Sequence, residues 1–122
     1  MAKNKLKGKK AEEIAAEYLA GKGYRILERN WQHIHKEIDI IAEKDKKLVI
    51  VEVKARDDGG EVNASEIFSK RKVRNMVDAA EAYIFKENIM MEVRFDFFLV
   101  IFDPLGYKVQ HIPEAFIPGV NW

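Results

Sequence analysis

Apolar residues in the first part of the chain recur at the spacing of an α-helix. They follow one another in steps of three and one, which puts them on a single side of a helix with 3.6 residues per turn. We therefore predict a helix over residues 7–20, ended by the segment Gly21-Lys22-Gly23. The apolar stripe consists of Ala11, Ile14, Ala15, Tyr18 and Leu19.

The pattern then changes to short segments rich in Val, Ile and aromatic residues, as is typical of β-strands. Between the third and fourth of these segments, we predict a loop over residues 57–63. A second helix is predicted from about residue 64 to residue 87, with Val73, Met76 and Tyr83 on its apolar face. The fourth strand is apolar at both parities, which predicts a buried central strand. The predicted strands are residues 24–31, 37–43, 48–56, 93–102 and 107–112.

The resulting order is α-β-β-β-α-β-β. Hairpins combined with a crossover helix predict an α/β fold with a mixed β-sheet flanked by helices. A chain of 122 residues has the length of a single domain, so we expect one domain over residues 1–122. Within it, we expect residues 1–6 to form a basic, flexible tail and residues 113–122 an irregular one.

Composition narrows the chemistry. The chain has no cysteine, which excludes a disulfide framework, a thiol nucleophile and a cysteine-ligated zinc or iron–sulfur site. No apolar run approaches the roughly 18 residues of a membrane span, and no apolar signal segment follows the first lysines. No phosphate loop or dinucleotide fingerprint is present either. We therefore expect a cytoplasmic protein without a membrane partner or a nucleotide cofactor.

The net charge of +1 conceals an uneven distribution. Residues 1–10 carry five lysines and no acid, and residues 69–74 carry four more bases and no acid. The rest of the chain has 12 bases against 20 acids. Two basic segments on an acidic body suggest a polyanionic partner, although a solubilising tail and a solvated helix face are an equally good explanation of the charge alone.

The informative departures from the apolar pattern are acids within predicted strands. Glu37 and Asp39 share one face of the second strand, and Glu52 and Lys54 share one face of the third. In a hairpin these side chains can gather on one face. Carboxylates that repel one another there would be stabilised by a divalent cation such as Mg²⁺, and a lysine nearby can orient its bound water. This is the equipment for metal-assisted phosphodiester hydrolysis. The alternative is a cross-strand ion pair of Asp39 or Glu52 with Lys54.

The two helices add side chains at the borders of their apolar faces. Glu12 borders the stripe of the first helix and can lean over the sheet, although an acid in a first helical turn is also favoured by the helix dipole. In the second helix Lys70 and Lys72 lie at the two edges of the apolar face, where a lysine can hold a phosphate. Arg71 and Arg74 lie opposite, where bases contact a nucleic-acid backbone without reading its sequence.

Three further candidates have structural interpretations. His33, His35, Glu37 and Asp39 would form a transition-metal site if one strand ran through all four, but a turn is expected between the first two strands. Arg94 and Asp96 are expected to form a structural ion pair. Trp31 is expected in the core, with a base-stacking platform as the alternative, and the aromatic run is also expected in the core. That run consists of Phe95, Phe97, Phe98 and Phe102.

Several segments in register resemble the YraN-like proteins of the restriction-endonuclease-like PD-(D/E)XK nuclease superfamily, to which archaeal Holliday junction resolvases are also similar. The resemblance extends from Gly8 to Phe116. Two positions depart from the family pattern: Ala11 replaces a glycine, and Lys36 replaces the glycine before Glu37. The superfamily's proline before the aspartate is replaced by Ile38. The matching segments are Gly8–Ala15, Tyr24–Trp31, Glu37–Ala42, Val51–Arg56, Arg94–Asp96, His111–Ile112 and Ala115–Phe116, together with Lys72.

The resemblance implies a metal site and roles for its residues. Asp39 and Glu52 would be ligands, with the backbone carbonyl of Val53 as a third and Glu12 as an accessory ligand or water anchor. Lys54 would position the attacking water. Since no cysteine is present, the expected cofactor is Mg²⁺ or Mn²⁺ rather than zinc.

The resemblance also implies a DNA partner, including branched or structured DNA, and a homodimer, since many relatives act as dimers. The expected function is a metal-dependent endonuclease. The alternatives are a nucleic-acid-binding module that cleaves nothing and a protein–protein adaptor. The residues expected to contact nucleic acid are Lys9, Lys10, Lys36, Lys70, Arg71, Lys72 and Arg74.

Overall fold

The computed structural model describes residues 2–57 and 69–119, and the side chains of residues 6–57 and 69–119. Among these described residues, two helices and five strands follow one another in the predicted order, α-β-β-β-α-β-β, so the predicted α/β fold class is confirmed. The elements are α1 (Ala2–Gly21), β1 (Arg25–His33), β2 (Lys36–Lys44), β3 (Lys47–Asp57), α2 (Lys70–Glu87), β4 (Glu92–Asp103) and β5 (Gly106–Phe116).

The five strands form one mixed sheet in the order β1-β2-β3-β4-β5. Strands β3 and β4 are parallel, because α2 carries the chain back between them, and the other neighbours are antiparallel. No helix among the described residues is long and apolar enough to cross a membrane.

Each face of the sheet is covered by one helix, which produces two apolar cores. On one side Ala11, Ala15 and Leu19 of α1 pack against β2, β3 and β4. On the other, Val73 and Met76 of α2 pack against the opposite faces of the same strands. The aromatic run of β4 divides between them as its alternating parity requires: Phe95 and Phe97 face α2, and Phe98 faces α1. This explains why β4 is apolar at both parities, as predicted for a central strand.

Helix α1 and strand β5 are the elements that extend furthest beyond their predicted bounds. Helix α1 begins at Ala2 rather than at residue 7, because the residues before Gly8 are mostly good helix formers and one glycine does not end a helix. It therefore includes most of the stretch expected to be a tail. The predicted loop and the start of the second predicted helix lie largely in residues 58–68, outside the described residues. The described part of α2 begins at Lys70, after Ser69, whose Oγ accepts a hydrogen bond from the Lys72 N–H.

Strand β5 continues to Phe116, four residues beyond its predicted end, because a buried aspartate supports a bulge in it. Residues 113–115 of β5 lie opposite Asp96 of β4, between the register pairs Phe97↔Ile112 and Phe95↔Phe116. The Glu114 N–H, which has no strand partner there, donates to Asp96 Oδ1 at 3.0 Å. Periodicity cannot detect this continuation, since a bulge interrupts the alternation.

Asp96 is also the centre of the ion pair predicted with Arg94. Arg94 donates two hydrogen bonds to it, from Nε at 2.8 Å and from Nη2 at 2.7 Å, and His111 Nε2 lies 2.7 Å from its Oδ2. Arg94 Nη2 also donates to Tyr24 Oη at 2.6 Å. Burial acts to raise the pKa of Asp96, but the hydrogen bonds from His111, Arg94 and the Glu114 N–H outweigh it and hold this pKa below its usual range. The predicted structural ion pair is confirmed.

Candidate metal centre

The candidate centre lies where β2 and β3 cease to be paired. Their ladder runs from Lys44↔Lys47 to Ile40↔Val51, and Asp39 of β2 and Glu52 of β3 lie just beyond its last pair. The alternation of β2 also changes there, because Ile38 and Ile41 both belong to the core under α2 while Ile40 belongs to the core under α1. Polar side chains therefore occur where the backbones of β2 and β3 are no longer paired with each other.

Asp39 occupies this gap between the strands. Its Oδ2 accepts a hydrogen bond of 2.8 Å from the Val53 N–H, in place of a β2 backbone carbonyl. The N–H and C=O of one strand residue point to the same side, so the Val53 carbonyl is also directed toward β2. Burial raises the pKa of Asp39 to about 7, and the charges of Glu52, Glu12 and Glu37 act in the same direction, while the Val53 N–H opposes them.

Two further carboxylates, those of Glu12 and Glu37, lie close to Asp39. Oxygen atoms of Glu12, Glu37 and Asp39 all lie within 4.8 Å of one another. Glu12 reaches the group from α1, which packs over this face of the sheet. Its pKa is raised, first by burial and then by the charge of Glu37. Burial and nearby acids thus both disfavour the ionised forms of Glu12 and Asp39.

Glu52 lies beside this group but faces a different partner. Its Oε2 is 3.2 Å from Lys72 Nζ at the start of α2, and the two side chains are 21% and 23% exposed. This oxygen is shielded from solvent and accepts no hydrogen bond of acceptable geometry from the described residues. Lys54 lies next to both: the pKa of Lys54 is lowered, first by a side-chain contact with Lys72 at hydrogen-bonding range and then by burial, while Glu52 opposes this.

The structure brings the predicted site residues together in two groups. The fold brings Glu12 to Asp39, and it brings Lys54 and Lys72 to Glu52. The oxygen group of three contains Glu37 in the position where we expected Glu52. In the sequence Glu37 shares the parity of Asp39, and this parity is the signal that identifies Glu37 as a member of the oxygen group. Glu37, Asp39 and Glu52 nevertheless line one small cleft between β2 and β3, so all the predicted acids adjoin one centre.

The residues fit a hard divalent cation. The donor set consists of carboxylate oxygens, with the Val53 carbonyl directed to the same gap, and this is the oxygen chemistry that Mg²⁺ and Mn²⁺ prefer. The partly buried carboxylates of Glu12 and Asp39 have raised pKa values, so a bound cation would relieve their repulsion. The group of three acids could thus hold a metal ion, and neither histidine of the predicted transition-metal alternative belongs to it.

That alternative fails among the described residues because of a turn. β1 ends at His33 and β2 begins at Lys36, with Ile34 in the left-handed conformation at φ 57°. His33 and His35 instead line a groove against the C-terminal half of α2. Trp31 packs against the core under α2, with its ring edge-to-face on Tyr83 at 5.3 Å. Its predicted core position is confirmed.

The two basic segments contact different parts of β3, one at its last residue and the other at its middle. Near the start of α1, Lys7 forms an ion pair with Asp57, the last residue of β3. Near the start of α2, Lys72 forms the ion pair with Glu52 already described. Lys36 lies 3.8 Å from Asp78 of α2. The other bases proposed for nucleic-acid contact are exposed: Lys9, Lys10, Lys70, Arg71 and Arg74.

These features define a class: an α/β protein with a mixed five-stranded sheet and an oxygen-donor acidic group at the point where two of its strands separate. The chain belongs to uncharacterised protein family UPF0102, whose family model matches residues 11–100. This confirms the resemblance to the YraN-like family and, with it, to the PD-(D/E)XK-like nuclease group.

Relatives match over nearly the whole chain. A UPF0102 protein of Phocaeicola vulgatus is 37% identical over 120 residues, covering 98% of this chain and 99% of the relative. UPF0102 protein BF0634 of Bacteroides fragilis is 41% identical over 118 residues, covering 97% and 98%. A UPF0102 protein of Persephonella marina is 40% identical over 112 residues, covering 91% and 93%. The family model, over residues 11–100, includes the acids of the candidate centre, which are Glu12, Glu37, Asp39 and Glu52.

Proposed function

We propose that this protein is a metal-dependent endonuclease that hydrolyses phosphodiester bonds in DNA, with branched or structured DNA among its substrates. The observation that carries the proposal is the convergence of the Glu12, Glu37 and Asp39 carboxylates within 4.8 Å, beside Glu52, Lys54 and Lys72. Family membership in UPF0102 supports a nuclease-like fold for the same chain.

Each side chain of the centre would have its own role in binding the metal ion or the water. Asp39 and Glu52 would hold Mg²⁺ or Mn²⁺ with the Val53 carbonyl, and Glu12 and Glu37 would act as accessory ligands or anchor water. A cation held there supplies polarisation of the phosphate and activation of water. Lys54, next to Glu52, would orient the attacking water, since an ammonium group donates hydrogen bonds to an oxygen nucleophile and attracts the phosphate.

Contact with DNA would come from the bases near the starts of the two helices. Lys7 of α1 contacts Asp57 at the end of β3, and Lys72 of α2 contacts Glu52 in its middle. Exposed bases nearby would contact phosphates without reading sequence, so binding should weaken steeply as salt increases. They are Lys9, Lys10, Lys70, Arg71 and Arg74.

A cleavage assay tests the proposal. Purified protein is incubated with Mg²⁺ or Mn²⁺ and a panel of linear, flapped and four-way DNAs. We expect cleavage of at least one substrate, with a loss of about 10²-fold or more in Lys54→Ala, Asp39→Asn and Glu12→Gln. Glu13→Gln is the matched control, because Glu13 is the neighbour of Glu12 on α1 and is exposed. It should cleave as the wild type does.

Two results would contradict the proposal. The first is a wild-type protein that leaves every DNA intact with either metal. The second is an activity that survives both Lys54→Ala and Asp39→Asn, which would belong to a contaminant. DNA binding without cleavage would instead support the second candidate, a nucleic-acid-binding module. That candidate is favoured by the Lys72–Glu52 ion pair, because this pair partly neutralises Glu52 without any metal.

A further inference from the structure

A lysine stands at an electrostatically unfavourable position at the start of α2. Lys72 belongs to the first turn, where its N–H donates to Ser69 Oγ, and this turn contains bases but no acid. The N-terminal end of a helix carries a partial positive charge, so a cation there is disfavoured. An anion close to Lys72 is therefore needed to hold its ammonium in this place.

Glu52 is that anion, and the contact between them is incomplete. Lys72 Nζ lies 3.2 Å from Glu52 Oε2, within ion-pair distance, but without the geometry of a hydrogen bond. A shielded carboxylate oxygen that accepts no hydrogen bond is poorly compensated for its loss of water. Glu52 is thus neutralised by a neighbouring charge while its oxygen still lacks a directed ligand.

We propose that the Lys72 ammonium competes with a divalent cation for Glu52, standing beside it in the metal-free protein and moving to a phosphate oxygen of the nucleic acid when a cation binds. This inference rests on the proposed function, because it concerns the same centre. It adds that the Lys72 side chain has two partners and alternates between them.

Charge and flexibility both favour the exchange. A divalent cation on Glu52 would repel an ammonium 3.2 Å from the same oxygen, so the two cannot share it without a large cost. The four-carbon stem of lysine allows the ammonium to swing while the α2 backbone stays in place. Lys72 is the first cause of the lowered pKa of Lys54, so the two bases oppose each other's positive charge, which also favours outward movement of Lys72.

Binding of Mn²⁺, measured by calorimetry without DNA, tests the competition. We expect Lys72→Met to bind Mn²⁺ about fivefold or more tightly than the wild type, since the ion pair that the cation must displace is gone. Lys72→Gln serves as a second variant if the first is poorly folded. The matched control is Lys86→Met, which removes the same charge from the exposed last turn of the same helix and should leave the affinity near that of the wild type.

The role of Glu52 is tested in the same measurement. In a Glu52→Gln background, Lys72→Met should no longer improve Mn²⁺ affinity. An improvement that persists there, or one equal in Lys86→Met, would show a general charge effect and overturn the inference. An unchanged or weaker affinity in Lys72→Met would overturn it too, while wild-type Mn²⁺ binding would leave the proposed metal centre standing. Absence of Mn²⁺ binding in every variant would contradict both.

The second half of the exchange is tested with DNA in Ca²⁺, chosen to limit cleavage. Adding the metal should increase the DNA affinity of the wild type more than that of Lys72→Met, because only the wild type has an ammonium to release. An equal increase in both proteins would overturn the transfer of Lys72 to phosphate.

Discussion

Replacing Asp39 by asparagine should stabilise the protein, although most substitutions at partly buried sites destabilise. The asparagine side chain is isosteric and its Oδ1 can still accept the hydrogen bond from the Val53 N–H. What it removes is a carboxyl group whose pKa is raised from 3.8 to about 7 by burial and by three neighbouring acids. At about 1.4 kcal/mol per pKa unit, this raised pKa lowers the free energy of unfolding of the wild type by about 4 kcal/mol at most.

The sign of the pH dependence follows from the raised pKa. Below pH 3.8 the carboxyl is neutral in the folded and unfolded protein, so it costs nothing. Between pH 3.8 and about 7 it ionises in the unfolded chain but stays protonated in the folded one, so the free energy of unfolding of the wild type falls as pH rises. Above about pH 7 the loss is complete. The advantage of Asp39→Asn should therefore grow from near zero at pH 4 to about 2 to 4 kcal/mol at pH 8.

Urea denaturation of both proteins between pH 4 and pH 8 measures this difference directly, and other titrating groups cancel in the comparison. Asp45→Asn is the matched control, because Asp45 is exposed in the β2–β3 turn and the change is chemically the same. Its effect should stay within about 0.5 kcal/mol. An Asp39→Asn variant that is no more stable than the wild type at pH 8, or whose advantage does not vary with pH, would refute the reasoning. The same variant should lose Mn²⁺-dependent stabilisation.

Three further changes have distinct expected outcomes. Asp96→Asn should lower the free energy of unfolding by about 3 kcal/mol in denaturation experiments, because it leaves Arg94 without its buried counter-charge. Since the pKa of Asp96 is lowered, this loss should be full at neutral pH and shrink as the wild type is protonated in acid. Asn30→Ala should be about 1 kcal/mol less stable than Asn30→Gly, since Asn30 has φ 53° and glycine adopts this left-handed conformation more readily than alanine. Ser69→Ala should cost about 1 kcal/mol by removing the N-cap of α2, and an unchanged melting temperature would contradict this.

Much of the fold was predictable because each element has a local signature. Helix α1 is buried along one side, and strand β4 is buried on both faces. The sequence therefore shows a 3.6-residue apolar period in α1 and apolar residues at both parities in β4. The extension of β5 was not visible, because Asp96 satisfies the bulge from another strand. The early start of α1 was missed for a different reason: the periodic stripe marks only the buried part of a helix, and α1 extends beyond it.

The candidate site was predictable in its residue types and less so in its grouping. Glu12 was placed correctly because its angle on α1 borders the buried stripe. Alternation put Glu37, Asp39 and Glu52 on one face, but in the structure only Glu37 joins Asp39 in the oxygen group of three, and Glu52 faces Lys72. The reason is that β2 changes its alternation near Asp39, just where its pairing with β3 stops, and no local pattern reveals the end of a ladder.

The residue pattern thus established the order of elements, the two-sided burial of the sheet, the absence of cysteine ligands and a short set of acids and bases that could bind a metal ion and phosphate. The tertiary structure alone decided which of them meet: Glu12 with Glu37 and Asp39, and Glu52 with Lys72. These groupings depend on strand register and on where each helix crosses the sheet. Both are set by packing between residues far apart in the chain, which local periodicity does not encode.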